Sequence, residues 1–199
     1  MSNNAANVSV GKPKVGGAVH VADTTATLPT TATEDLVSAF ANLGYCSEDG
    51  LTNTTEIDSE EIKAWGGDVV EVTENGKVDS FKLTLIESMN VAVLKEVHGK
   101  DNVTGTDLAT GIAVKVNSVA HEARAWVIDM IMKGNVLKRV VIPKGTITEQ
   151  GDVVYKSDDV VGYEITIKAQ ADSSGNTHYE YLQTASSSDS DDPDDPDNP

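Results

Sequence analysis

Apolar residues in this chain recur mostly at every second position, in short runs broken by Gly, Asn, Asp and Ser. That period places alternate side chains on opposite faces of a strand. From Val78 to Glu87, Phe81, Leu83 and Leu85 point one way and Lys82 and Thr84 the other. From Val160 to Ala171, Tyr163, Ile165, Ile167 and Ala169 oppose Glu164, Thr166, Lys168 and Gln170. Further strands are predicted over Ala18–Ala22, Val69–Thr73, Ile112–Val119, Ala123–Met132, Val136–Ile142 and His178–Thr184. Turn signals separate them: Glu74-Asn75-Gly76-Lys77 reads as a tight hairpin, Lys133-Gly134-Asn135 and Ser173-Ser174-Gly175-Asn176 as turns.

Two segments follow a helical period instead. Leu36, Phe40 and Leu43 fall at i, i+4 and i+7, Thr31 stands three residues before Glu34 as in a capping box, and Gly44 offers a stop. The spacing predicts a helix over 32–43. Val91, Leu94 and Val97 predict a second over 88–97, ended by Gly99. The expected fold is mainly β, a β-sandwich or partly closed barrel of about eight strands with one or two flanking α-helices.

The stretch from Glu48 to Trp65 fits neither pattern. It leaves the Asp49-Gly50 turn, runs through Thr, Asn and acidic residues, and carries Ile57, Ile62 and Trp65 before Gly66-Gly67 opens the next strand. It reads as a long polar loop that docks on something, with a short helical turn over 58–64 capped by Asp58 and Glu61. Trp65 either folds back on its own domain or anchors in a neighbour, where Trp is enriched.

Composition narrows the function. The 199 residues suffice for one domain, and the formal charge is −17. Six acids (Asp189, Asp191, Asp192, Asp194, Asp195 and Asp197) lie in one terminal run; removing these six from the total of 32 leaves 26 acidic residues against 15 basic. Such a surface disfavours a nucleic-acid groove built on clustered Lys and Arg, and permits a protein that stays near DNA without sticking to it. Residues 1–16 read as a flexible arm, 17–185 as the folded domain and 186–199 as a disordered acidic tail. The single cysteine, Cys46, forbids an internal disulfide and reads as a small buried hydrophobe. Neither a signal peptide nor an apolar run of about 20 residues is present, so no membrane association is expected.

Catalytic patterns are missing. His20, His98, His121 and His178 lie far apart, and His121-Glu122 lacks a second histidine four residues on, where Ala125 stands. No nucleophile elbow, phosphate loop or dinucleotide fingerprint occurs. Neither an enzyme nor a cofactor is expected.

One family resemblance emerges from segment order. The predicted helix followed by L-G-Y-C-S-E-D-G-L-T, then I-K-A-W-G-G-D-V-V, then F-K-L-T-L-I-E-S and a helix ending V-H-G, resembles the major tail tube proteins of long-tailed bacteriophages, especially of Gram-positive and actinobacterial hosts. The likeness spans about residues 17–99. It implies a structural virion protein assembled in the host cytoplasm, forming stacked hexameric rings that make a tube for DNA delivery. Implied partners are other copies of the chain, a tape measure protein, tail-tip and terminator proteins, and DNA in transient passage. By position, the arm 1–16 and the loop 48–65 would make contacts between rings, through Glu48, Asp49, Ile57, Ile62 and Trp65. Asp68, Glu71, Asp79, Lys82 and Thr84 are the candidates to face the lumen. A tail terminator, a capsid decoration protein or a non-catalytic β-sandwich binding module is the alternative.

Overall fold

The computed structural model describes residues 3–185, so the acidic tail 186–199 lies outside the described residues. A 3-10 turn at Ala5–Asn7 precedes β1 (Gly11–Pro13), β2 (Val19–Asp23), β3 (Ala41–Asn42), β4 (Thr52–Lys63) and β5 (Val69–Leu85). Helix α1 (Val91–His98) follows, then a 3-10 turn at Lys100–Asn102, β6 (Val103–Thr104) and β7 (Ala113–Val114). Four more strands close the described chain: β8 (Arg124–Met132), β9 (Val136–Gln150), β10 (Tyr163–Ala169) and β11 (Tyr179–Thr184). The main sheet is antiparallel and nine-stranded, in the order β3-β2-β8-β9-β10-β5-β4, with β1 added on β8 and β11 on β9; β6 and β7 pair by themselves.

The β8–β9 hairpin is the spine. On β8, β2 takes Arg124–Ile128 and β1 takes Met130–Met132. On β9, β11 takes Val136–Val141 and β10 takes Gly145–Gln150. Each long strand thus serves two neighbours in turn, and the β8–β9 register shifts between Arg124 and Trp126, beside Gly145. A side chain at Gly145 would meet Ile167 Cγ2 at 2.6 Å and Trp126 Cδ1 at 2.9 Å, and the Trp126 indole N–H donates to the Gly145 carbonyl at 3.1 Å. This close approach of backbone to indole requires glycine.

Alternation sets the two cores. Phe81, Leu83, Leu85, Trp126, Ile128, Ile142, Ile165 and Ile167 meet Val93, Leu94 and Val97 of α1 in the larger one. Ala125, Val127 and Val141 on the opposite face join Ala22 and Phe40 in a smaller one, flanked by Leu36, Tyr179 and Tyr181. Strand β8 is buried on both faces from Ala125 to Asp129, which explains the apolar run Ala125–Ile128. Cys46 packs against the larger core, and burial, with Glu87 nearby, pushes its thiol up to about 11.

The structure agrees with most strands, with α1 capped by Asn90, and with the mainly β class. Four expectations fail. No helix forms over 32–43. The Thr31 hydroxyl does accept from the Glu34 amide at 3.1 Å, and the Glu34 carboxylate accepts from the Thr30 amide at 2.8 Å. The Arg139 guanidinium, however, donates to the carbonyls of Thr31 and Glu34 at 3.1 and 2.6 Å, acceptors that helical bonds to residues four positions on would need. Leu36 and Phe40 then serve the smaller core and Leu43 the larger. Second, the loop 48–65 is mostly strand: β4 occupies 52–63, and no helical turn exists at 58–64. Third, Asn75-Gly76 is not a turn; β5 runs straight through it, and the reversal falls at 64–68, where the Gly67 amide donates to the Ala64 carbonyl at 2.8 Å and Gly67 has φ 93°. Fourth, only Ala113–Val114 of the strand predicted over 112–119 is paired.

Arg139 and Asp129 sit opposite each other on β9 and β8, both buried, joined by two bonds of 2.6 and 2.9 Å. Removing one partner strands the other charge in the interior. Asp129→Ala is expected to lower stability by about 3–5 kcal/mol in urea unfolding, with the larger loss of order in residues 30–40 by hydrogen exchange.

Candidate assembly surface

The contact residues singled out in sequence fall at the root, along the strands and at the tip of a long ribbon made by β4 and β5. The two strands pair from Thr52↔Lys82 to Lys63↔Val69, with register shifts at Asp58/Ser59 and Ile62/Lys63. Only the C-terminal part of β5 belongs to the body: β10 pairs with Ser80–Leu85. Beyond Ser80 the ribbon has no third strand. At about 3.3 Å per residue, Val69–Asp79 projects roughly 35 Å from the last body partner.

Every residue of β4 is exposed, as are Val69–Glu71 and Glu74–Lys77 of β5. Large apolar side chains nevertheless line the ribbon: Ile57, Ile62, Val69, Val70 and Val72 are each 46–63% exposed. Trp65, in the tip turn, is 105% exposed, so it does not fold back on its own domain. Among the described residues, the outer edge of β4 has no partner strand. A two-stranded ribbon with no sheet or helix beneath it is marginal in water, and an open edge is a template for pairing.

The contact residues predicted from sequence are spread along this ribbon rather than gathered. Glu48 and Asp49 lie at its root, where the Gly50 amide closes a turn onto Ser47; Ile57 and Ile62 lie along β4 and Trp65 at the tip. Sequence reasoning missed Val69, Val70 and Val72, although their β-branched run beside Gly66-Gly67 is visible in the chain.

The lumen candidates separate into three environments. Asp68 adjoins the tip, where its carbonyl accepts from the Ala64 amide at 2.8 Å, and Glu71 stands opposite Ile62 on the ribbon. Lys82 and Thr84 lie on the face of β5 turned away from the larger core. With Thr52, Thr54, Ser80, Glu164, Thr166 and Lys168 they make a continuous polar face, and Lys82 pairs with Glu164 at 2.9 Å.

Asp79 is different: it is only 1% exposed and forms a polar node where the ribbon leaves the body. Thr55 on β4 donates to one carboxylate oxygen at 2.6 Å and Thr177, before β11, to the other at 2.5 Å. The His178 imidazole lies 3.7 Å away and packs edge-on against Phe81. Burial pushes the Asp79 carboxyl up, but the Thr177 and Thr55 hydroxyls, with Lys77 and His178, outweigh it and hold it below the ordinary range. Nothing in the local sequence marks this node, because Thr55, Asp79 and Thr177 are far apart in the chain.

No group of three or more His, Cys, Asp or Glu side chains suited to a metal occurs among the described residues, and no helix there is long and apolar enough to cross a membrane. The dominant feature among the described residues is thus an extended, apolar-studded arm with an open strand edge. The chain matches the family described as phage tail tube protein over residues 1–190, and it belongs to that family. It is a structural tail protein of a phage virion. Among solved structures, it is similar to the anti-feeding prophage cap, a tube-terminating cap seen by cryo-electron microscopy, with 11% identity over 93% of this chain and 100% of that one, at a TM-score of 0.39. No curated protein sequence matches it.

The Asp79 node predicts a pH dependence with a definite sign. A carboxyl whose native pKa is depressed stabilises the fold fully above the ordinary Asp value, about 4, and loses that contribution as pH falls through the lower native value. Asp79→Ala, which leaves two threonine hydroxyls without their acceptor, should cost about 1–3 kcal/mol at pH 7. Urea midpoints should show the gap between variant and parent narrowing below about pH 4.

Proposed function

We propose that this chain is the building block of a tail tube: copies close into hexameric rings, the rings stack, and the tube conducts the phage genome into the host. The observation that carries this reading is the ribbon. Its open β4 edge and its isoleucines, valines and Trp65 have no cover within the described chain and find it in neighbouring subunits. In this arrangement Ile57, Ile62 and Trp65 make the principal contacts, with Glu48 and Asp49 at the root and the arm 1–16 adding to them. The described part of that arm is exposed throughout; β1 pairs with β8, the Lys14 amide donates to the Asp129 carbonyl at 3.1 Å, and the Ser9 hydroxyl accepts from the Lys133 amide at 2.6 Å.

The polar face around Lys82 and Thr84 is the surface we assign to the lumen. Hydroxyls and paired charges of both signs offer no cluster of cations to hold a phosphate backbone, so DNA slides past. Asp68 and Glu71 sit on the ribbon and would face the lumen only where neighbours direct it there. Asp79, being buried, serves the fold. The role is that of a scaffold and calls for no cofactor. Its partners are further copies, a tape measure protein and the tail-tip and terminator proteins, met during assembly in the host cytoplasm.

Electron microscopy of the purified full chain across concentration and salt tests this. Hollow tubes are expected, favoured by salt that screens the formal charge of −17. Single rings that never stack would instead identify a terminator, and a chain that stays monomeric on purified tail-tip complexes would overturn the tube reading. Trp65→Ala should weaken assembly by about 2 kcal/mol, roughly 30-fold in critical concentration. Replacing 57–76 by a short turn should abolish tubes while leaving a cooperatively folded body.

A further inference from the structure

The strongest turn signal in the sequence is unused in the fold. Asn75-Gly76 lies inside β5, opposite the register shift between Asp58 and Ser59. Neither residue has positive φ. A side chain at Gly76 would meet nothing within 4 Å. Glycine weakens a strand unless a turn, a bulge or a close approach needs it. The register shift leaves Asn75 without a partner, as in a bulge, yet with neither left-handed backbone nor crowding at Gly76 that irregularity does not require glycine there. Its freedom is suited to another conformation.

We propose that β5 has two registers, and that Asn75-Gly76 is the turn of the second. In that state Val69–Glu74 folds back antiparallel onto Lys77–Lys82, along the edge that β4 now occupies. A two-residue turn sets the pairs: Glu74 opposite Lys77, Thr73 opposite Val78, Val72 opposite Asp79, Glu71 opposite Ser80 and Val70 opposite Phe81.

Three consequences favour this register in a lone subunit. Opposite charges flank the turn, whereas Glu74 and Lys77 now face Ser59 and Ile57. Phe81 points into the core, so Val70 and Val72, now 63% and 61% exposed, come to the core side in place of Asn53 and Thr55. Release of β4 uncovers little, since all its residues are already exposed. The opposing costs are the β4 ladder, whose twelve register pairs give way to six, and Asp79, which loses the Thr55 hydroxyl and keeps that of Thr177. The extended ribbon gains when a neighbour covers its apolar residues. The second register therefore withholds the arm until a partner is present; that consequence rests on the tube reading, while the two registers do not.

Disulfide trapping in the full chain, with Cys46→Ala as background, distinguishes the registers. Thr73→Cys with Val78→Cys reports the folded-back state. In the extended ribbon those residues lie about 16 Å apart along one strand, beyond disulfide reach. Glu61→Cys with Val72→Cys, directly opposed in the ribbon, reports the extended state. In the soluble subunit under mild oxidation, the 73/78 pair should close within tenfold of the rate of the 61/72 pair. Adding Gly76→Val should slow the 73/78 closure at least tenfold and leave the 61/72 closure unchanged. A 73/78 pair that stays reduced while 61/72 closes fully overturns the proposal, as does closure indifferent to Gly76→Val. If the parent chain makes no tubes even on purified tail-tip complexes, the tube reading fails, and the closure rates still decide between one register and two.

Discussion

A buried guanidinium must find acceptors, and in this fold that requirement organises more than its own neighbourhood. Arg139 is 2% exposed and bonds Asp129 directly across the β8–β9 ladder, which fixes the register of the two strands that every other part of the sheet hangs from. Its remaining N–H groups reach the carbonyls of Thr31 and Glu34 and lay that segment across the outer face of the sheet. Phe40 and Leu36 then cover Ala125, Val127 and Val141, so a face that would otherwise meet water becomes a second core. An apolar replacement of matching shape can supply similar stability, but it would not supply donors for the two carbonyls.

The molecule divides into two regimes of stability. In the body, β8, β9 and β10 are buried against α1 and one another. In the ribbon, β4 and the N-terminal half of β5 have ladder bonds open to water and almost no burial. Opening free energies follow burial, so the ribbon belongs at the low end of local stability and the spine at the high end. Asp79 sits at the junction of the two, drawing Thr55 from the ribbon and Thr177 from the segment before β11 onto one carboxylate. In the proposed tube, such a subunit would bring a rigid shape for packing and a pliable arm for joining its neighbours. The same division suits a family whose members are structural parts of a tail.

Most of the body was legible in the chain. The alternation over 81–85 and 163–169, the apolar face of α1 and the turns at 133–135 and 173–176 depend on local period and turn chemistry, and those survive whatever the rest of the chain does. The acidic balance was legible too, as was the resemblance to tail tube proteins. Trp65 and Ile62 stood out as apolar residues in polar surroundings, which is what their exposure on the ribbon reflects.

Tertiary structure alone decided the rest. The helical period at Leu36, Phe40 and Leu43 and the Thr31–Glu34 bond were real local signals, yet a side chain more than a hundred residues away took the carbonyls a helix needs. The polar stretch 52–63 became a strand because β5 offered it an edge, a partner that no local pattern in β4 reveals. Two glycine-containing signals competed for one reversal, and Gly66-Gly67 closed the ribbon while Asn75-Gly76 was drawn into β5. Local sequence thus determined which segments prefer extended or helical backbone and where the chain can turn. Which turns are used, and which polar segments find a partner, depended on contacts between residues distant in the chain, because only those contacts supply the missing hydrogen-bond partners and the burial.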